Sequence, residues 1–369
     1  MPEKADVAVI GAGVAGLTTA LRLAEGGCSV LVIDQGDPFR GGSGVNAGTL
    51  ALQNKNAELI LFYQRAIAEW RRLDQALDRD IGYVCRGGLR VAESKDEAET
   101  LRREVVRQKE LGIETEWLEG NRLRHHAPWL GSSISCATYC VDDGFASPLL
   151  AGRALVKAAL GAGVGVATNR EFLGKSTTPN GYRLDTSAGP VECGDVVIAA
   201  GAWSGRVAEH FGVTLPVECH VNMLSVTRRI AQFMDNQVVT HIGGRLTLKQ
   251  YPNGSCLLGG GWRGEGGIET GRKDLNCERL QQNLRLHADV VPPLKDATIL
   301  RTWAGFEAET PDHWPIAGGF DGHPRLFVAV PAKAGFTAGP IVGRLTAEKL
   351  LTGEMPPFAR PMDPERFLH

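Results

Sequence analysis

The first 34 residues constrain this chain more than any other stretch. Residues 6–10 are a short apolar run, Gly11-Ala-Gly13-Val14-Ala15-Gly16 follows directly, and Leu17, Ala20, Leu21, Leu23 and Ala24 then repeat at helical spacing. Gly26-Gly27 ends that helix, residues 29–33 make a second apolar strand, and Asp34 stands at its carboxyl end. Strand, tight turn, helix and strand in that order form a βαβ unit. Glycines at 11, 13 and 16 let backbone amides approach a pyrophosphate at the helix N-terminus. Asp34, eighteen residues beyond Gly16, can accept hydrogen bonds from a ribose. The pattern predicts a dinucleotide site and leaves NAD and FAD both open.

A second polar, glycine-rich loop, residues 40–48, contains Ser43, Gly44, Asn46, Ala47 and Gly48. Such small residues would let a second phosphate or a flavin ring lie against backbone. Residues 58–77 carry Leu61, Ile67, Trp70, Leu73 and Leu77 near helical spacing, which predicts a helix with these side chains in the core. Residues 81–92 change period, with Tyr83-Val84 and 89–92 flanking Gly87-Gly88 like a hairpin. A charged helix with a solvated face is expected at 95–111. Helix 149–160 and strand 163–167 repeat the opening grammar, and the apolar strand 195–200, ending in Gly201-Ala-Trp203, suggests a return to the first sheet. Residues 213–301 read as strand-rich, with strands at 222–227, 246–251 and 255–259 and Asn253-Gly254 as a hairpin turn. Strand 326–330, a turn at 335–339 and helix 341–351 close the pattern.

Composition narrows the function classes. A chain of 369 residues is long enough for two domains and a sizeable core. With 40 Lys and Arg against 42 Asp and Glu, the net charge of -2 supplies no basic field for nucleic acid. No window offers the roughly 18 apolar residues of a membrane span. Glu3 and Asp6 spoil the basic flank that a signal peptide needs, so export is not expected. None of the eight cysteines forms a Cys-x-x-Cys pair or sits at zinc spacing, which fits a reducing cytoplasm and no metal.

The N-terminal unit, Asn46-Ala47-Gly48, Ala200-Gly201-Ala-Trp203, Trp303-Ala-Gly305 with Thr310-Pro-Asp312, and the glycine-rich ending from Gly335 to Gly343 form a set. In this set the chain resembles the D-amino-acid oxidase superfamily of flavoproteins, in the branch of glycine oxidase, sarcosine oxidase and the flavin subunits of opine and proline dehydrogenases. The resemblance runs from about residue 6 to 351 and implies an α/β plus α+β fold. In it, a Rossmann-type FAD domain (1–80, 145–212 and 306–369) interleaves with a substrate domain on a largely antiparallel sheet (81–144 and 213–305). It implies noncovalent FAD, since no cysteine follows Cys277 where covalently linked relatives carry one. The cofactor would meet Gly11, Gly13, Val14, Ala15, Gly16, Asp34, Gln35, Ser43, Gly44, Asn46, Ala47, Gly48 and Val166. Farther along the chain it would meet Ala200, Gly201, Trp203, Gly305, Lys333, Ala334, Gly335, Phe336 and Thr337.

Such proteins oxidise a C–N bond by passing hydride to flavin N5, and the resulting imine hydrolyses. The expected partners are an amino acid or amine and either oxygen or a partner electron-transfer subunit. One departure limits the substrate. Amino-acid oxidases commonly hold a carboxylate with an arginine just after the Ala-Gly pair of Trp-Ala-Gly; here that place belongs to Glu307. An acid there cannot clamp a carboxylate but could meet an ammonium, which favours a secondary amine. Lys333, Lys249 and Arg245 are the candidate cations. His125, His126, His220, His241, His287 and His313 are assigned no catalytic role.

Overall fold

The computed structural model describes residues 3–78 and 80–368; residues 1, 2, 79 and 369, at or near edges of the expected FAD-domain segments, lie outside the described residues. One eight-stranded sheet runs in the order Ile316–Phe320, His323–Val330, Val191–Ile198, Glu3–Ile10, Val30–Ile33, Gly165–Ala167. Its last five strands are parallel, with Val7 opposite Val30 and Asp195. Residues 7–10 of the first strand are buried without alternation, as expected of a parallel strand covered on both faces. Gly181–Thr186 and Phe172–Thr178 extend this sheet as an antiparallel branch.

Two helices cover one face, Val14–Glu25 against Gly335–Thr352. A Cβ on Gly343 would lie 2.5 Å from the Ala15 carbonyl oxygen, so glycine is what lets the two backbones touch. Pro340 interrupts the second helix and has no amide to offer the Phe336 carbonyl four residues back. The indole Nε1 of the buried Trp70 fills that gap, donating toward the carbonyls of Phe336 at 3.2 Å and Thr337 at 3.0 Å.

The other eight-stranded sheet runs Ile299–Glu309, Glu218–Thr227, Cys256–Gly259, Thr247–Gln250, Val238–His241, Gly88–Ala92, Cys136–Cys140, Thr115–Glu119. It is antiparallel except where Val238–His241 meets Gly88–Ala92. Its strands come from 88–140 and 218–309, and its last strand runs past residue 305. Asn253-Gly254 makes the expected turn, with Gly254 at φ +87° and Tyr251 and Ser255 joined by a 2.8 Å hydrogen bond. The fold is thus α/β plus α+β, as expected.

Local departures have physical causes. The hairpin expected around Gly87-Gly88 does not form: Val84 bridges to Phe145, while Gly88–Ala92 is an inner strand between Val238–His241 and Cys136–Cys140. The turn expected at 335–339 is the first turn of a helix entered from Ala334, at φ +55°. A helix, Cys277–Val290, lies inside the stretch read as strand-rich; the Asn276 side chain caps it by accepting from the Arg279 amide at 2.9 Å. Leu61, expected in the core, is exposed because the long helix Ala57–Ala76 buries its Leu59, Ile60, Phe62 and Tyr63 side instead.

Candidate active site

The carboxyl ends of four parallel strands converge on one cavity of about 1070 Å³. Ile10-Gly11, Ile33-Asp34, Ala199-Ala200 and Pro331-Ala332 mark these ends, which is where open α/β sheets bind ligands. Asn222 to Leu224 and Gly305 to Ala308 of the second sheet form the facing wall. The volume exceeds the roughly 300–1,000 Å³ usual for one small ligand.

At one end the glycine turn is built as a cradle. Gly11 has φ +113° and its backbone lies so close to the neighbouring strand that a Cβ would sit 2.4 Å from the Ala199 carbonyl oxygen. Ser43 Oγ accepts from the Val14 amide at 3.0 Å and so ties the second glycine-rich loop to the start of the first helix. The Asp34 carboxylate accepts from the Ala12 amide at 2.7 Å and the Gly36 amide at 2.8 Å, one bond per oxygen, leaving lone pairs for ribose hydroxyls. Burial, opposed by these two amides, leaves its pKa above the ordinary carboxylate value. Beyond Ser43 the walls are backbone and small side chains: Gly41, Gly42, Ala47, Gly48, Ala200, Gly201 and Gly335. A long groove rich in glycine and alanine, with the Asp34 carboxylate held at one end, fits FAD.

The other end is polar and tightly tied. Ala332 and Ala334 both have left-handed backbone, φ +52° and +55°, on either side of Lys333, a strain that this fold must hold in place. The Tyr63 hydroxyl donates to the Lys333 carbonyl at 2.7 Å, and the Ala334 amide donates to Glu307 Oε1 at 3.3 Å. Burial, with the charge of Glu307, pushes the Tyr63 phenol well up, so it remains a donor. Strand register places the acids: Asn222 pairs with Gly305, His220 with Glu307 and Glu218 with Glu309, so alternate residues share one face. Asn222 Nδ2 donates to Glu307 Oε2, and Asn222 Oδ1 accepts from Arg263 at 3.0 Å. Glu309, 9% exposed, gathers Lys333 at 3.0 Å, His313 at 3.0 Å, His220 at 3.1 Å and Arg263 at 3.4 Å. Burial alone would raise its pKa, but the Lys333 ammonium foremost, with His220 and His313 beside it, holds it below the ordinary value.

Most of the expected site residues line this cavity: Gly11, Gly13, Val14, Ala15, Asp34, Gln35, Ser43, Asn46, Ala47, Gly48, Ala200, Gly201, Trp203, Gly305, Glu307 and the run 333–337. Gly16 and Gly44 stand behind it, where a Cβ would meet the carbonyl oxygens of Gly11 at 2.0 Å and Phe39 at 1.8 Å. Val166 stands on the edge strand of the first sheet, paired with Val32. Lys249 is fully buried behind the 46–49 loop; its ammonium donates to the Ala47 carbonyl and to Thr49 Oγ1, the latter at 3.0 Å. Burial lowers its pKa to about 7. Arg245 is exposed at a turn, its guanidinium 5.5 Å from the Trp262 ring centroid. Lys55, Tyr63, Asn222, Lys273 and His313 also line the cavity, and no sequence motif marks them. Tyr63 reads as helix core, and Lys55 sits in an unpatterned polar run.

A family model described as FAD dependent oxidoreductase matches residues 6–349. Glycine oxidase of Geobacillus kaustophilus is 26% identical over 94% of this chain and 93% of its own. Its crystal structure superposes with TM-score 0.89 at 25% identity, covering 98% of both chains. An opine oxidase subunit of Rhizobium meliloti is 23% identical over 95% of this chain and 94% of its own. The structure of L-proline dehydrogenase from P. horikoshii gives TM-score 0.89 at 26% identity, over 100% of this chain and 99% of that one. With the glycine cradle, the acid at its end and a match over nearly the whole chain, this protein belongs to the DAO family and is an FAD-dependent oxidoreductase.

Proposed function

We propose that the protein oxidises the C–N bond of an amino acid, with a preference for secondary, N-substituted amines. The observation that carries this reading is Glu307, a carboxylate fixed by Asn222 and the Ala334 amide in the same cavity as the FAD cradle. Bound FAD supplies a two-electron hydride acceptor. A substrate ammonium must lose its proton before hydride can leave the adjacent carbon, and Glu307 is placed to meet that ammonium. The substrate gives up one hydride and one proton, and water then splits the imine into a carbonyl compound and an amine. Lys333, held against Glu309, keeps a cation at the polar end, while Lys249 braces the 46–49 loop from behind. The relatives named for glycine, opine and proline support an amino-acid substrate.

No cysteine lines the cavity among the described residues, which supports noncovalent FAD. Residues 1–80, 145–212 and 306–369 would form the FAD domain and the remainder the substrate domain. A cytoplasmic location is our reading of the scattered, unpaired cysteines. Among the described residues no helix is long and apolar enough to cross a membrane.

A second reading, the flavin subunit of a heteromeric dehydrogenase, draws on the likeness to a protein named as one component of opine oxidase. Anaerobic stopped-flow with glycine, sarcosine, proline isomers, N-carboxymethyl amino acids and opines tests both. Bleaching by a secondary amino acid followed by fast recovery in oxygen is the outcome expected of a self-sufficient oxidase. Slow recovery favours the heteromeric reading, and no bleaching by any compound refutes amine oxidation.

A further inference from the structure

The cavity holds an acid, Glu307, at the place where amino-acid oxidases commonly clamp a carboxylate, so an amino-acid substrate needs its cation elsewhere. Among the described residues Lys55 lines this cavity without an ion-pair partner. Its Nζ stands 4.5 Å from the ring centroid of Tyr63, the same tyrosine that holds the Lys333 carbonyl. The segment that carries it is anchored. The Lys55 amide donates to the Leu52 carbonyl at 3.0 Å, and the Leu52 amide donates to buried Asp143 at 2.7 Å. The Gln53 side chain donates to the Gly88 carbonyl at 2.9 Å and to Asp143 at 3.0 Å.

An ammonium drawn partly out of water, over an aromatic face and on fixed backbone, carries a desolvation cost that a bound anion would relieve. Buried Asp143, and after it Glu307, lie within the electrostatic reach of Lys55, and of these two acids Glu307 lines the same cavity. Lys333 is less free for this task because its ammonium is engaged by Glu309 at 3.0 Å. Lys273 rests 5.3 Å from the Phe306 ring, on a short outer hairpin.

We propose that Lys55 binds the α-carboxylate of the substrate while Glu307 meets its amino group. The zwitterion then lies across the cavity with each charge matched. This deepens the amino-acid reading above and rests on it. The chain would accordingly select α-amino acids over simple amines through residue 55.

The test titrates FAD-loaded wild type, Lys55→Met and Lys55→Arg by calorimetry with propionate and with its neutral counterpart propionamide. Wild type is expected to bind the acid more tightly than the amide. Lys55→Met should weaken propionate roughly ten- to a hundredfold, the value of a charge-assisted hydrogen bond, and leave propionamide unchanged. Lys55→Arg should restore most of the loss. If Lys55→Met does not retain FAD, Lys55→Gln carries the same comparison. Equal propionate affinity with and without the lysine, or a wild type that binds acid and amide alike, overturns the proposal. Anaerobic flavin bleaching by amines separates that failure from failure of the amine-oxidation reading, because bleaching does not depend on which residue holds the carboxylate.

Discussion

Each oxygen of Glu307 already accepts from one protein donor, Asn222 Nδ2 or the Ala334 amide, and each keeps a lone pair for a third partner. Glu307→Gln preserves the shape and removes the charge. Steady-state kinetics should show KM for the amine rising by roughly tenfold, the scale of one charged contact, with FAD content unchanged. Lys249 makes a different prediction. Its pKa falls from 10.5 to about 7 on folding because burial removes water from the ammonium. Between those values the unfolded chain binds more protons than the folded one, so this lysine's contribution makes stability rise with pH across the window. The slope approaches about 1.4 kcal/mol per pH unit in its middle. Denaturant titrations at pH 7, 8 and 9 should show that slope in the difference between wild type and Lys249→Met. A pH-independent difference would mean that the folded chain keeps this amine protonated as readily as the unfolded one.

At the scale of elements, Trp70 and Pro340 form a testable pair. Trp70→Phe leaves the Phe336 and Thr337 carbonyls without the indole donor and should cost about 1–3 kcal/mol in denaturant unfolding. Pro340→Ala returns an amide to the Phe336 carbonyl, so the double variant should lose less than the sum of the two singles. Strict additivity would show that the indole does not replace the missing amide. Much of this level was legible in the sequence. The opening βαβ unit, the return strand Val191–Ile198 and the Asn253-Gly254 turn rest on local signals, namely apolar runs and residues that tolerate special backbone. The helix start at Gly335 was not legible, because it depends on left-handed Ala334 and on a carbonyl satisfied by Trp70 far away in sequence. The Gly87-Gly88 hairpin failed for a related reason. Those glycines stand beside Tyr139 and Asp143, which the sheet brings in from elsewhere.

For the whole molecule, the glycine-rich end of the cavity was readable because it is built from contiguous motifs, Gly11 to Gly16 with Asp34 and residues 43–48. The polar end was only partly so. Glu307 stood out by its place in a motif and Glu309 shares its face two residues along the same strand, but Asn222 and His220 join them only through pairing of Glu218–Thr227 with Ile299–Glu309. Lys55 and Tyr63 arrive from a different segment altogether. The cradle also predicts that Gly11→Val, whose side chain has no room beside Ala199, yields protein with little bound FAD. Flavin absorbance per chain after purification checks this, and full occupancy would move the cofactor away from the glycine turn. The measurement that bears most directly on amine oxidation is the anaerobic stoichiometry. FAD-loaded protein is mixed with the secondary amino acid that bleaches it, and flavin reduced and carbonyl compound formed are both counted. One carbonyl compound and one released amine per flavin reduced is the predicted result; a flavin that stays oxidised with every amine offered, or that bleaches without a carbonyl product, would contradict it.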